Sequence, residues 1–134
     1  PKPDDIQDNK PDTAEKFEKI QISINDKETE QSGYLINNVI FVPMRTVFEA
    51  CGGIISWNNE QRSAEVSMEN GSTMLCRTEK AEAILNGVFV KTDAPARIIN
   101  DCMMIPVRLA EKTTGKTFDY SETSKKLNIV GKYN

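Results

Sequence analysis

Two arginines stand in the same unusual setting and are the side chains best suited to bind an anion. Arg45 ends the run FVPMR and Arg108 ends the run MIPVR, so each lies two residues after a proline that closes an apolar stretch. A guanidinium at a helix start can bind a carboxylate or phosphate through paired hydrogen bonds. A cation is disfavoured at the positive end of a helix dipole, however. Because the setting occurs twice, we predict a structural role, in which each arginine binds loop carbonyls that the proline junction leaves unpaired.

Three aromatic residues are candidates for a surface that stacks on sugar rings. Trp57 and Tyr120 occupy predicted strand ends, where a sheet meets its helix, and packing in the core or at a hinge is the favoured interpretation there. Tyr34 stands near a predicted turn and is expected to be the most exposed of the three. The candidate surface-binding residues are therefore Tyr34 and Trp57.

The composition excludes several kinds of catalytic and metal site. The 134 residues include no histidine, which rules out an imidazole base, a Ser-His-Asp arrangement and any metal site that needs imidazole. The run NDKETE at 25–30 lacks the spacing and the glycine of a calcium loop, and Glu49 and Glu111 lie on separate predicted helices. We therefore predict that the chain is not an enzyme and has no catalytic residues, metal site or cofactor.

The cysteines indicate no metal or redox motif. Cys51, Cys76 and Cys102 are odd in number, lie far apart and form no CxxC pair. Three buried thiols that pack as small apolar side chains are the favoured interpretation. One disulfide is the alternative.

Charge and hydropathy limit the classes of partner. The 17 basic and 20 acidic residues give a net charge of −3, which argues against a nucleic-acid-binding protein. No apolar run approaches the roughly 20 residues that cross a bilayer, so we expect no membrane insertion. No signal peptide is visible, and because the chain begins at Pro1 we expect that any export signal has already been removed.

The order of patterns along the chain predicts one domain behind a leader. Residues 1–16 hold three of the six prolines and two aliphatic residues, a composition typical of a flexible leader or linker. Residues 17–134 form the predicted domain. Alternating isoleucines at 20, 22 and 24 predict its first strand, and Asn86-Gly87 between two apolar runs predicts a tight hairpin.

The two proline junctions belong to a longer repeat with a spacing of 63 residues. A glycine is expected to close the helix after each junction, and an aromatic residue follows at a matching distance. The chain is thus predicted to duplicate a β-β-α-β-β unit, about 19–68 and 80–131, joined by a strand near 72–77. The predicted fold class is α+β, with antiparallel strands and two short helices packed on one side. The recurring residues are Pro43, Arg45, Gly52 and Trp57 in the first unit, and Pro106, Arg108, Gly115 and Tyr120 in the second.

These runs resemble a known family. The stretch NNVIFVPMRTVFEACGGIISWNNEQRSAEVSM closely resembles the copper amine oxidase N-terminal-like domain, also called the stalk domain, and NDCMMIPVRLAEKTTGKTFDYSETSKKLNIV repeats its pattern more loosely. The resemblance covers about residues 19–131. In the second run Lys112 replaces the helix glutamate seen as Glu49, and Tyr120 replaces the tryptophan.

The resemblance implies a module without catalysis. The family is named after the small N-terminal part of a bacterial amine oxidase, a part that carries no catalytic residues. Its members are typical of secreted or surface proteins of Gram-positive bacteria, beside hydrolases or wall-binding repeats. We therefore expect an extracellular or cell-surface module that acts as a spacer, attachment or interaction domain. The alternatives are a module that binds carbohydrate or cell-wall polymer, and an accessory domain of a secreted hydrolase. The expected partners are a cell-wall polymer or another surface protein or domain.

The first prediction concerns the chemistry that the family name suggests. The purified chain should bind no stoichiometric copper and release no peroxide from amines, because it lacks the histidine ligands that the oxidase needs. Elemental analysis and a coupled peroxide assay would check this. Copper at one equivalent, or amine-dependent peroxide, would contradict the prediction.

Overall fold

The computed structural model describes residues 17–130, so the predicted leader at 1–16 and residues 131–134 lie outside the described residues. In chain order the first elements are β1 (Phe17–Ile24), β2 (Lys27–Glu28), β3 (Gly33–Ile36), β4 (Val39–Pro43), α1 (Met44–Ala50), β5 (Gly53–Asn58), β6 (Ser63–Met68) and β7 (Thr73–Arg77). They are followed by β8 (Glu82–Leu85), β9 (Val88–Lys91), β10 (Arg97–Ile99), β11 (Cys102–Pro106), α2 (Val107–Thr114), β12 (Thr117–Ser121) and β13 (Lys126–Val130). The predicted α+β class is confirmed. Neither helix in this part of the chain is long and apolar enough to span a bilayer.

The strands form two sheets. The eight-stranded sheet has the order β10-β11-β4-β3-β1-β13-β12, and β2 also pairs with β1. The five-stranded sheet has the order β5-β6-β7-β8-β9. Between named strands of residues 17–130, every pairing is antiparallel except that of β1 with β13, which is parallel. The first and the last strands of the described chain are therefore neighbours that run in the same direction.

Tight hairpins are made by two-residue turns with positive φ at both positions. The φ angles are 50° and 68° at Asn37-Asn38, 51° and 82° at Asn86-Gly87, and 51° and 65° at Asn100-Asp101. Asn25-Asp26 has the same geometry between β1 and β2. Asparagine, aspartate and glycine tolerate this left-handed region, and its twist matches that of the flanking strands. The tight hairpin predicted at Asn86-Gly87 is confirmed.

Each proline junction is a corner from strand to helix. Pro43 and Pro106 are the last residues of β4 and β11, and their backbones are extended, with φ of −70° and −60°. Each is also the residue that precedes the first helical residue. A proline without an amide hydrogen ends the strand pairing at no cost to the helix, whose first amides have no intrahelical acceptor. Gly115 then ends α2 in the left-handed conformation, with φ of 73°.

The two corners meet where β4 and β11 pair in the large sheet. β4 and β11 pair antiparallel, with Val42 opposite Ile105 and each proline opposite a residue of the other strand. Helix α1 contacts β11, α2 contacts β4, and the helices contact one another. The side chains of Val42, Ile105 and Phe48 are fully buried in the main core. This crossed packing holds both helices on β4 and β11.

The element order β-β-α-β-β occurs twice along the chain, but the two occurrences are arranged differently. The hairpin of β5 and β6 belongs to the five-stranded sheet, where β6 pairs with β7, the strand predicted near 72–77. The hairpin of β12 and β13 instead extends the large sheet next to β1. A second, smaller cluster of buried residues packs away from the main core, and it contains Tyr34, Ile36, Phe41 and Met104.

Stability should depend on the β4–β11 pairing far more than on the outer face of the small sheet. The change Ile105→Ala should lower the free energy of unfolding by roughly 2–5 kcal/mol, because it leaves a cavity beside fully buried neighbours. The matched change Ile54→Ala, at a strand residue that is 73% exposed, should cost about 0.5 kcal/mol or less. Urea unfolding of both variants tests this. An equal loss of unfolding free energy in the two variants would contradict the burial of Ile105 in the core.

Candidate functional site

A cleft of about 450 Å³ opens where the start of α1 meets both sheets. We call it the Trp57 cleft. Its polar and aromatic walls come from the α1 corner, the β5–β6 hairpin, the β10–β11 turn and the segment before β3. Buried Met44 and Ala64 also line it, so part of its wall is apolar. The side chains that could bind a ligand there are Gln31, Arg45, Trp57, Arg62, Asp101 and Cys102.

Trp57 is more exposed than the sequence indicated. Its side chain is 40% exposed, and its indole N–H donates to Asn59 Oδ1 at 3.3 Å. Trp57 pairs with Ala64 on the inner face of the sheet, but β5 is an edge strand and Trp57 lies one residue from its end. The prediction of core packing is wrong at this residue, because the inner face is not covered there and opens into the cleft.

The other two candidate aromatics are less exposed. Tyr120 is half-buried and packs against the main core, as predicted, although its buried hydroxyl has no hydrogen-bond partner among residues 17–130. Tyr34 is only 9% exposed, its ring meets the Phe17 ring edge-on at 6.1 Å, and its hydroxyl accepts a hydrogen bond from Asn100 at 3.3 Å. The expectation of an exposed Tyr34 is wrong, because its ring packs in the smaller buried cluster with Phe41 and Met104 and against the Phe17 ring. Tyr34 and Trp57 therefore form no common surface.

The two corner arginines are exposed and do not hold buried carbonyls. The side chains of Arg45 and Arg108 are 65% and 74% exposed. Arg45 Nη1 donates to Glu49 Oε2 at 2.9 Å, and Arg108 Nε lies 3.7 Å from Asp93 Oδ2. The predicted carbonyl-binding role is wrong. The helix begins directly after each proline, so the carbonyls of the corner can accept hydrogen bonds from amides of the helix itself.

The cleft offers guanidinium donors that could bind an anionic or hydroxyl-rich ligand. Arg62, in a left-handed conformation with φ of 51°, adds a second guanidinium whose Nε donates to Thr78 Oγ1 at 3.3 Å. Asp101 is the one carboxylate among the described residues that line the cleft. Two guanidinium groups and one carboxylate thus line the cleft beside an exposed indole, and Glu49 balances the charge of Arg45. Nothing in the sequence singled out Arg62, because it lies in the uniformly polar run NNEQRS.

The comparison with known families assigns the domain. Residues 21–129 match the family model described as copper amine oxidase N-terminal domain. The chain belongs to this family. No curated protein and no solved structure matches the chain. The match runs from β1 to β13, so it includes both proline corners and the Trp57 cleft. The family represents the non-catalytic N-terminal part of copper amine oxidases.

In this copper amine oxidase N-terminal domain, the arginines at matching positions of the two helices have different ion-pair partners. Arg45 has Glu49 one turn later and forms an ion pair within α1. Arg108 has Lys112 at the same spacing, and like charges at that spacing repel one another. Arg108 turns instead to Asp93, in the segment between β9 and β10. An arginine and an aromatic residue therefore line the cleft together in the first half of the chain, as Arg45 and Trp57, and not in the second.

The cysteines are free thiols with different surroundings. Cys76 is buried, and burial raises its pKa to about 12. Burial also raises the pKa of Cys51, partly offset by the nearby charge of Lys116. Cys102, half-buried at the edge of the cleft, accepts a hydrogen bond from the Gln31 amide at 3.1 Å. Within residues 17–130 no three potential metal-binding side chains come together.

The exposed ion pair of α1 should contribute little to stability. We expect Arg45→Ala to lower the free energy of unfolding by about 0.5 kcal/mol or less, because both charges remain solvated when separated. Thermal or urea unfolding measures this, with Arg108→Ala as the matched control at the second corner. A loss of several kcal/mol at Arg45 alone would show that the corner depends on the guanidinium.

Proposed function

We propose that this copper amine oxidase N-terminal domain is a non-catalytic spacer in an extracellular or cell-surface protein, where it separates or attaches neighbouring parts. The observation that carries the proposal is the parallel pairing of β1 with β13. The family supports the absence of catalysis. The extracellular setting rests on the resemblance to domains of secreted and surface proteins. As an accessory domain of a secreted hydrolase, the module would have the same spacing role.

The parallel register places the two ends of the domain far apart. Ser23 lies opposite Asn128, and the four register pairs run from Gln21 with Lys126 to Ile24 with Ile129. Phe17 therefore precedes the pairing at one end, and Val130 follows it at the other. The axial offset between Phe17 and Val130 is eight residues, or about 26 Å at roughly 3.3 Å per strand residue.

This arrangement suits a module that adds length. A chain that enters at the start of β1 and leaves at the end of β13 is displaced along the length of these two strands, in the direction in which both run. Many domains instead have neighbouring termini, which lets them be inserted into a loop without lengthening the host. Antiparallel first and last strands would produce that result here. Because its first and last strands are parallel, the domain lengthens the chain that contains it.

We further propose that the chain is a duplicated β-β-α-β-β unit, over about 19–68 and 80–131. The twofold element order supports this, and so does the β4–β11 pairing, in which Pro43 lies opposite Met104 and Pro106 lies opposite Phe41. At the repeat spacing, Phe41 corresponds to Met104 and Pro43 to Pro106. The register is therefore unchanged when the two units are exchanged, as a local twofold axis requires.

The separation of the ends is directly measurable. Spin labels can be attached to non-natural, azide-bearing amino acids placed at positions 17 and 130. The two labels should be about 26 Å apart, because they lie at opposite ends of the β1–β13 pair. Labels at 26 and 130 are the control, since Asp26 follows β1 at the end where β13 finishes and should lie much closer. A 17–130 distance as short as the control would sink the spacer proposal.

The Trp57 cleft supports a second candidate function, the binding of an anionic cell-wall polymer or another acidic carbohydrate. The specific observation is a tryptophan that is 40% exposed in a cleft with two guanidinium groups. An indole face packs against the apolar face of a sugar ring. Arginines bind phosphate or carboxylate groups through paired hydrogen bonds. A polymer with both groups would match Trp57, Arg45 and Arg62.

Retention on purified Gram-positive cell walls tests this second candidate. If the cleft binds polymer, Trp57→Ala and Arg62→Ala should each weaken retention severalfold, and walls stripped of anionic polymer should retain less of the unmodified chain. Phe89→Ala is the matched control, because Phe89 is 57% exposed outside the cleft. Equal retention of all three variants, with folding checked by circular dichroism, would eliminate the cleft as a polymer site and leave the spacer proposal intact.

A further inference from the structure

We propose that the β1–β13 pair is a force-bearing clamp, which keeps the domain folded when its two ends are pulled apart. The inference rests on the proposed spacer function, since a spacer between attached partners transmits tension. It goes beyond that function, because a spacer need only separate its neighbours. The direction of load, the hydrogen bonds across the pair and the buried side chains behind it all support such a clamp.

The direction of load follows from the parallel pairing. Tension at Phe17 pulls β1 toward its own beginning, whereas tension at Val130 pulls β13 toward its end. The two strands are therefore pulled past each other along their length, while their hydrogen bonds point across the pair. All those bonds are loaded together and must break together. Antiparallel strands with both ends on one side would open one bond at a time.

Backbone hydrogen bonds enclose the loaded stretch at both ends. Gln21 N–H donates to the Lys125 carbonyl at 3.0 Å, and Asn25 N–H donates to the Ile129 carbonyl at 2.9 Å. The four register pairs from Gln21 to Ile24 lie between these bonds. The pairing is short but continuous, so no gap in it allows the strands to separate stepwise.

Asn128 adds a side-chain link across the same pair. Its Oδ1 accepts one hydrogen bond from the Ser23 hydroxyl at 2.9 Å and another from the Asp26 N–H at 3.1 Å. One half-buried amide thus joins β13 both to β1 and to the turn that follows β1. Sliding the strands past each other by one residue breaks both contacts, so Asn128 resists motion in the direction of the load.

The core face makes that slide costly as well. Ile20, Ile22, Leu127 and Ile129 are each at most 1% exposed and alternate with polar residues along their strands. Side chains alternate between the two faces of a strand, so a shift of one residue exchanges the buried and the exposed sets. In β13 such a shift would move Asn128 toward the core and Ile129 toward solvent. The register is therefore stabilised by hydrogen bonds and by burial together.

Single-molecule pulling of the folded domain tests the clamp. Handles on azide-bearing residues at positions 17 and 130 load the pair in shear, whereas handles at 26 and 130 pull the adjacent ends of β1 and β13 apart. At one loading rate the shear geometry should need a severalfold higher unfolding force, because forced unfolding depends on the barrier along the pulled direction. Equal forces in the two geometries would overturn the proposal.

Variants separate the clamp from general stability. Asn128→Ala and Ser23→Ala should each lower the unfolding force in the 17–130 geometry, because they remove bonds across the loaded pair. Asn58→Ala is the matched control, since it removes a hydrogen bond to the Gln61 amide in the β5–β6 turn, outside the pair. If Asn128→Ala lowers the force no more than Asn58→Ala does, the clamp is wrong. The spin-label distance tests the spacer separately, so a long distance with no force difference would overturn the clamp alone.

Discussion

The antiparallel pairing of β4 with β11 is the interaction on which the rest of the structure depends. Each of these strands ends in a proline that cannot donate to a neighbouring strand, so the chain must leave the sheet at that residue. Because the strands run in opposite directions, the two helices depart from opposite ends of the pair. Each helix then packs on the strand of the other half, and the apolar side chains between them become the main core.

The parallel pair of β1 and β13 closes the structure in a different way. Parallel neighbours need a long connection, and here nearly the entire described chain, residues 25–125, is that connection. Bringing such distant strands together costs loop-closure entropy, which burial of their alternating isoleucines and leucine offsets. The pairing joins the beginning of the domain to its end and keeps them pointing in opposite directions. The separation of the two ends therefore follows from the parallel direction of β1 and β13.

The two proline corners also show how one local motif acquires different chemistry. The backbones at Pro43 and Pro106 are nearly alike, yet their arginines find different partners. In the first half Glu49 lies one turn away, and the strand that follows the helix presents Trp57 beside the same cleft. In the second half Lys112 excludes that ion pair, and Tyr120 packs against the core. The corner is an architectural feature, and its neighbours decide whether it lines a binding surface.

The sequence by itself determined the local elements, the two corners, the tight turns, the helix-ending glycines and the family, because these depend on backbone chemistry within a few residues. Proline, glycine and paired asparagines restrict φ wherever they occur, so their meaning can be read without the fold. Exposure could not be read in this way. Tyr34 is buried because residues of other strands pack against its ring, and Trp57 is exposed because the cleft leaves its face of the sheet uncovered. Tertiary structure alone also brought Arg62, Asp101 and Gln31 to the cleft and made β1 and β13 parallel neighbours. Such relations join residues far apart in the chain, and no local preference of either partner specifies the other.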